Sequence, residues 1–355
     1  MKLLLLTYEY PPFRGGVATY LANLMKTVPA GVEVTIDIPK AGEHWLETIW
    51  RLCMKPHGGK PDLVAISHVL PAGYIAYNMN FWHKTPYLVF THGSDILNAR
   101  HSAWKRSWMR FILRHAKFVV ANSRFTAALL QEEGITHIEI IPPSIGSTLL
   151  TTHYSLLPKI ISIGRLIPRK GFDTLIKTMP LILKAIPAAH LQIIGNGPYY
   201  EELIRLAHEL HVEKFVDVLT DVTDEKKTEY LAASALFALA ARKDGNDIEG
   251  FGIVTLEASA AGLPVVVTNS GGAAEPVVSG VTGVVAPCDD IETLAATIIS
   301  LLNDPEGAKK MGAAGREYVA KEYSLAAIGQ RFWSIVVPSF VTPAKVGDQH
   351  TINNR

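Results

Sequence analysis

Twelve short apolar runs, most of them separated by amphipathic or polar stretches of helical length, constrain this 355-residue chain more than any other feature. Residues 3–7, 32–38, 62–67, 87–91, 118–122 and 139–141 form a first series of predicted strands. Residues 160–163, 190–194, 215–219, 235–240, 264–268 and 281–285 form a second. Stretches such as 17–27 and 126–133 carry helical periodicity between them. Strands that are apolar throughout and alternate with helices argue for parallel sheets covered on both faces. The chain therefore reads as α/β, with two Rossmann-like halves joined around residues 150–158. A final helical stretch at 325–337 precedes a polar tail beyond Phe340.

Length suffices for two domains that each bury a core. With 48% apolar and 19% charged residues the chain reads as soluble and globular, and a formal net charge of +1 argues against bulk nucleic-acid binding. The charge is uneven. The first 150 residues carry 15 Lys and Arg against 10 Asp and Glu, the remainder 19 against 23, so the first half is the one suited to an anionic surface. Cys53 and Cys288 lie far apart, without metal or redox spacing, which fits a reducing cytoplasm. The run Leu3 to Leu6 is too short for a leader core, and no apolar run approaches the roughly 20 residues of a membrane span. Any membrane contact is expected to be peripheral.

The chemistry concentrates where the strand at 235–240 runs into ARKDGND and then EGFGIVTLE, residues 249–257. A helix is expected to start near Gly252, leaving the amides of Gly252, Ile253 and Val254 without helical acceptors. Such amides attract anions. Side chains lean toward a helix N-terminus, so Glu257 in the second turn points back at whatever the amides hold, and Glu249 faces the same spot from outside the helix. A diphosphate needs donors and sugar hydroxyls need acceptors, and the segment offers both. A solvated Glu249 and a surface Glu257 are the plainer alternative.

Other segments place polar groups at strand ends, where ligands collect in open α/β sheets. TYEYPPFRGGVATY sets Gly15 and Gly16 between strand and helix, and THGSD sets His92 and Asp95 directly after a strand. ISIGRLIPRKGFDTLI brings Arg165, Arg169 and Lys170 to a sheet's carboxyl edge, where cations suit a diphosphate, although surface charge accounts for Arg169 well enough. IIGNGPYYEEL contains Gly197 but no full dinucleotide fingerprint. SGGAAEPV, residues 270–277, supplies further amides, with Glu275 read as structural. Between Asp95 and Glu132 there are seven basic residues and no acidic one, and Trp104, Trp108, Phe111 and Ile112 recur at helical spacing. The helix at 101–117 can rest its aromatic stripe on the core, or on an anionic membrane.

EGFGIVTLEASAAGLPVV resembles the signature of retaining family-4 glycosyltransferases of the GT-B fold, with seven residues between its two glutamates. The resemblance covers nearly the whole chain. PPFRGGVATYL, THGSD, GRLIPRKG and EGFGIV are similar to segments of bacterial enzymes that mannosylate phosphatidylinositol lipids. It implies an acceptor-binding domain at 1–152 and a nucleotide-sugar domain at 153–324 facing each other across a cleft, with the helix at about 325–355 crossing back to the first. It also implies that Glu257 binds the ribose, Glu249 and His92 the transferred sugar, and Arg165 and Lys170 the donor phosphates. Gly15, Gly16 and the backbone of Phe251, Gly252, Ile253 and Val254 would close on the diphosphate, and Gly197 would lie near the nucleotide. Asp95 is given an acceptor-side role. One departure is the pair Ala240-Ala241, where the family has Pro-Ser or Pro-Ala before the arginine found here as Arg242.

The expected reaction is retaining transfer of a hexose, mannose from GDP-mannose first, to a lipid-linked or polysaccharide-precursor hydroxyl. UDP-sugars stay open. No acid pair of DxD type sits at a strand end, so no metal and no cofactor beyond the donor substrate is expected. A nucleotide-sugar epimerase shares the architecture but needs acid and base residues not found beside the sugar site. A dehydrogenase lacks its fingerprint, and a noncatalytic sugar-nucleotide binder would not need His92 or the glycine loop.

Overall fold

The computed structural model describes residues 1–13, 15–39, 45–54, 60–146 and 157–338. Arg14, most of the expected joint at 150–158 and the tail beyond 338 lie outside the described residues. In the first half the order is β1 (Lys2–Leu6), α1 (Gly16–Met25), β2 (Glu33–Asp37), α2 (Trp45–Met54), β3 (Leu63–Ile66), α3 (Ala72–His83), β4 (Tyr87–Thr91), α4 (Ser94–Arg100), α5 (Ala103–His115), β5 (Phe118–Ala121), α6 (Arg124–Glu132) and β6 (Ile138–Ile140). The second half runs β7 (Lys159–Ile163), α7 (Phe172–Ala185), β8 (His190–Ile194), α8 (Tyr200–Glu209), β9 (Val216–Leu219), α9 (Asp224–Ala232), β10 (Leu236–Leu239), α10 (Ile253–Ala260), β11 (Val265–Thr268), β12 (Gly283–Ala286), α11 (Ile291–Asn303), α12 (Pro305–Glu322) and α13 (Leu325–Val336). Every apolar run of the sequence becomes a strand, with ends shifted by a residue or two.

The strands form two six-stranded sheets, parallel throughout, in the orders β2-β1-β3-β4-β5-β6 and β12-β11-β10-β7-β8-β9. Central strands such as β3, β4, β10 and β11 are buried at every position because helices cover both faces, whereas the edge strands β2 and β6 are not. Each order reverses at one place, between β1 and β3 in the first sheet and between β7 and β10 in the second. Loops leaving those neighbouring strands run to opposite faces and open a crevice at the carboxyl ends, where open sheets bind ligands.

After α12 the chain returns to the first sheet. Ile145 N donates to Tyr323 O at 2.8 Å, Phe332 of α13 stacks on Phe90 with ring centroids 5.6 Å apart, and Trp333 Nε1 donates to Thr27 Oγ1 at 3.1 Å. One apolar cluster thereby joins Leu3, Leu5, Tyr20 and Phe90 of the first half to Phe251, Leu256 and α13. A polar clasp adds to it. The Glu275 carboxylate accepts from Arg124 N at 2.8 Å and Phe125 N at 2.6 Å, capping α6 from the other half.

The helix at 101–117 needs correction. Arg100, Arg106 and Arg110 converge on the fully buried side chain of Glu133 at 2.8, 2.9 and 2.7 Å, so these three cations serve the fold. Burial alone would raise the Glu133 carboxyl, but hydrogen bonds from Arg106 and Arg110 hold it below the usual range. Met109, Ile112 and Leu113 face the core. Trp104 is 61% exposed, and Trp108 and Phe111 are half-buried beside it. The continuation of this surface onto α3 has no signature in the linear sequence. Tyr74 packs on Trp108, Tyr77 on Phe111, and Phe81 on Trp82, with centroids 5.4, 4.8 and 5.4 Å apart, and Phe81 and Trp82 are 56% and 69% exposed.

Candidate active site

The loops leaving β7 and β10 are pressed together. Gly171, at φ 66, lies against the carbonyl of Ala240, where any Cβ would overlap that oxygen. This contact turns the preceding residues inward, so Arg169 and Lys170 are buried rather than solvated. Lys170 Nζ stands 2.6 Å from Glu249 Oε2, Arg169 Nη1 donates to the same oxygen, and Arg169 Nε lies 2.9 Å from Asp247 Oδ2. Burial would raise the Glu249 carboxyl, but Lys170 and then Arg169 bring it down to about 2, so it is an anion at any physiological pH. Its other oxygen makes no hydrogen bond among the described residues. Arg165 is exposed at the cavity and makes no ion pair among the described residues. Arg242, after the Ala240-Ala241 departure, turns away to Asp173 at 2.7 Å.

Helix α10 begins at Ile253, one residue later than expected, with Gly252 as its cap at φ 79. The amides of Gly252, Ile253 and Val254 donate to no acceptor among the described residues. Across the cleft α1 starts at Gly16, whose Cβ position lies 3.5 Å from Ile253 Cδ1. Two helix N-termini thus face one another, a setting that favours negative charge between them. Gly250 passes between the halves where a Cβ would overlap the His92 carbonyl. Gly272 N donates to Glu249 O at 2.8 Å, so the SGGAAEPV stretch braces the 249–252 loop instead of lining the cavity.

On the opposite wall His92 Nε2 donates to Ser67 O at 3.0 Å, which leaves Nδ1 as acceptor. Burial, reinforced by neighbouring His68, lowers its pKa to about 3, so the ring is neutral. Asp95 does not line the cavity: its Oδ1 accepts from His92 N at 3.1 Å and sets the turn after β4. Sequence reasoning missed Glu9 and His68, which do line it, with His68 Nε2 3.7 Å from Glu9 Oε1 and Nδ1 2.9 Å from Ser67 Oγ. Their signal was position, because they follow β1 and β3 on either side of the reversal in strand order.

A cavity of about 490 Å³ unites these walls. Of the residues singled out in the sequence, Gly15, Gly16, His92, Arg165, Lys170, Glu249, Phe251, Gly252, Ile253 and Val254 line it. Phe251 offers backbone only, since its ring is buried against Tyr323 with centroids 5.8 Å apart. Gly197 is not in the lining and packs under the Leu166 carbonyl, a close approach that requires glycine. Glu257 is not in it either; its carboxylate lies 3.2 Å from Lys227 of α9, a partner not foreseen. Arg169 and Asp247, dismissed or unremarked in the sequence, belong to the lining.

Residues 26–147 match the model described as Glycosyltransferase Family 4, and residues 153–318 that of Glycosyl transferases group 1. The chain belongs to the family-4 glycosyltransferases. It is 28% identical over 383 residues to the GDP-mannose-dependent alpha-(1-6)-phosphatidylinositol monomannoside mannosyltransferase of Mycolicibacterium smegmatis, covering 93% of this chain and 96% of the relative. It is 40% identical over 215 residues to a monoacylated phosphatidylinositol monomannoside mannosyltransferase of Corynebacterium glutamicum, covering 60% and 53%. Among solved structures, sucrose-phosphate synthase from Thermosynechococcus elongatus superposes with a TM-score of 0.82 at 20% identity, covering 96% of this chain and 99% of that one. Anabaena HepE in complex with UDP-glucose gives 0.80 at 20%, covering 95% and 100%. The fold is GT-B, and the enzyme is a hexosyltransferase.

Proposed function

We propose that the enzyme transfers mannose from GDP-mannose, with retention at the anomeric carbon, to a hydroxyl of a lipid-linked or polysaccharide-precursor acceptor. The observation that carries the reading is the arrangement of exposed Arg165, buried Lys170 and the unpartnered amides at 252–254 around one cavity, with an open Glu249 oxygen beside them. The mannosyltransferase relatives support the donor. As the sugar-phosphate bond breaks, negative charge grows on the leaving diphosphate, and donors already aimed there stabilise it without reorganising. Arg165, Lys170 and two helix starts can neutralise that charge themselves, so the proposed mechanism uses no metal. Glu249 accepts from a hydroxyl of the transferred sugar. The acceptor enters past Glu9 and His68, and its proton leaves to the departing phosphate on the same face.

The lipid acceptor fits a further part of the reading, peripheral contact with an anionic membrane from the cytoplasmic side. The aromatic surface of α3 and α5, with exposed Lys84, Lys105 and Arg114 around it, suits that contact. No described helix is long and apolar enough to cross a membrane.

A thermal-shift and turnover panel of nucleotide sugars tests the donor. GDP-mannose at about a hundred times its Kd should stabilise the native state by about 2.7 kcal/mol and be consumed in the presence of acceptor. A larger shift and turnover with UDP-glucose would reassign the donor, and no shift with any nucleotide sugar would overturn the reading.

A further inference from the structure

Arg169 is buried in the loop that follows β7, and its guanidinium is directed at two carboxylates of one other loop. Neutralising Glu249 does not require it, because Lys170 already stands 2.6 Å from the same carboxylate oxygen. What a second cation adds is geometry: a planar fork that can hold two acids in a fixed relation, which a point charge cannot do. The loop it grips is built for this. Asp244 and Asp247 exchange backbone hydrogen bonds at 2.9 and 2.8 Å across a turn whose Gly245 has φ 56. From there Ile248 turns inward, its side chain against Gly271, while Asp247 and Glu249 on either side of it both reach Arg169 and both line the cavity.

We propose that Arg169 is a positioning residue that holds Asp247 and Glu249 as a paired acceptor for the hydroxyls of the transferred hexose, and that Asp247 helps decide which hexose is accepted. The inference rests on the donor reading given above and names the part of the site that would discriminate among sugars. A hexosyl group offers several hydroxyls whose directions differ between epimers. Two carboxylates fixed two residues apart accept well only from a matching pair, and a site built to bond a hydroxyl rejects an epimer that leaves its acceptor unmatched. The Asp247 side chain, 45% exposed, lines the cavity with its Oδ2 in ion-pair contact with Arg169 Nε at 2.9 Å.

The test uses the full chain with Asp247→Asn and the charge-conserving Arg169→Lys. For each, kcat/KM is measured with the preferred nucleotide sugar and with donors epimeric at the sugar's C2 and C4. The affinity for the matching nucleoside diphosphate, which lacks the sugar, is measured by calorimetry. Asp247→Asn should lower kcat/KM for the preferred donor by about 10- to 100-fold, the loss expected of a hydrogen bond to a charged group. Its preference over an epimer should fall by about tenfold or more, with nucleoside diphosphate affinity unchanged. Arg169→Lys should reproduce the loss of preference, because it keeps the charge and removes the fork. Unchanged preference in both variants overturns the inference while leaving the donor reading intact. An equal fall in nucleoside diphosphate affinity overturns it also, since the loop would then be supporting the phosphate site. A wild type that binds neither nucleoside diphosphate nor nucleotide sugar overturns both.

Discussion

Lys170→Ala lowers kcat for hexosyl transfer by about 10²- to 10³-fold, the range found when a single preorganised donor to a developing anion is removed. The expectation follows from where the ammonium sits. It is buried beside Gly164 at the end of β7, and burial pushes its pKa below the ordinary lysine value. The neighbouring Glu249 carboxylate, 2.6 Å away, opposes that shift and favours the charged form. A charge held in a water-poor site interacts with a leaving diphosphate far more strongly than a solvated one. The fold should survive the change, because Arg169 still bonds Glu249 and the tight contact of Gly171 with Ala240 does not involve the lysine side chain. Steady-state and single-turnover rates of nucleotide release check it. A loss confined to KM, with kcat kept, would place Lys170 in ground-state binding and remove it from the charge-stabilising set.

The second large effect concerns the membrane. Replacing Trp82 and Trp104 together with serine should reduce partitioning onto anionic vesicles by roughly 100-fold. Withdrawing two large exposed side chains from a bilayer interface forfeits about 3 kcal/mol, at roughly 1.5 kcal/mol each as the low end for a buried apolar side chain. Vesicle flotation with anionic and with zwitterionic lipid measures this, and turnover on a soluble acceptor analogue should be unchanged because neither residue lines the cavity. Lys105 and Arg114 are the better charge probes on α5, since Arg106 and Arg110 are held by Glu133 and their loss would report on folding. Equal flotation of wild type and double variant would assign the aromatic surface another role.

The sequence made the fold legible because its strands are buried on both faces and so appear as uninterrupted apolar runs; β10 and β11 have no exposed position to blur the pattern. The cationic side of the cavity was legible for a similar reason. Glycines at strand-to-helix turns and cations beside them have local signatures, and Gly16, Gly252, Arg165 and Lys170 all meet at the cavity. Relations between distant segments were not legible. Arg169 looked like surface charge until Glu249, eighty positions later, was placed against it. The basic run near α5 looked free because Glu133, its buried partner, stands beyond the stretch it neutralises. Gly197 and Glu257 were assigned by motif, and neither lines the cavity: one is packed beneath Leu166 and the other faces Lys227.

A crystal structure of the enzyme soaked with GDP tests the central claim most directly. The diphosphate is expected in the cavity between the two sheets, its oxygens within hydrogen-bonding distance of Arg165, Lys170 Nζ and the amides of Ile253 and Val254. Density for the nucleotide anywhere else, with that cavity holding only solvent, would contradict it.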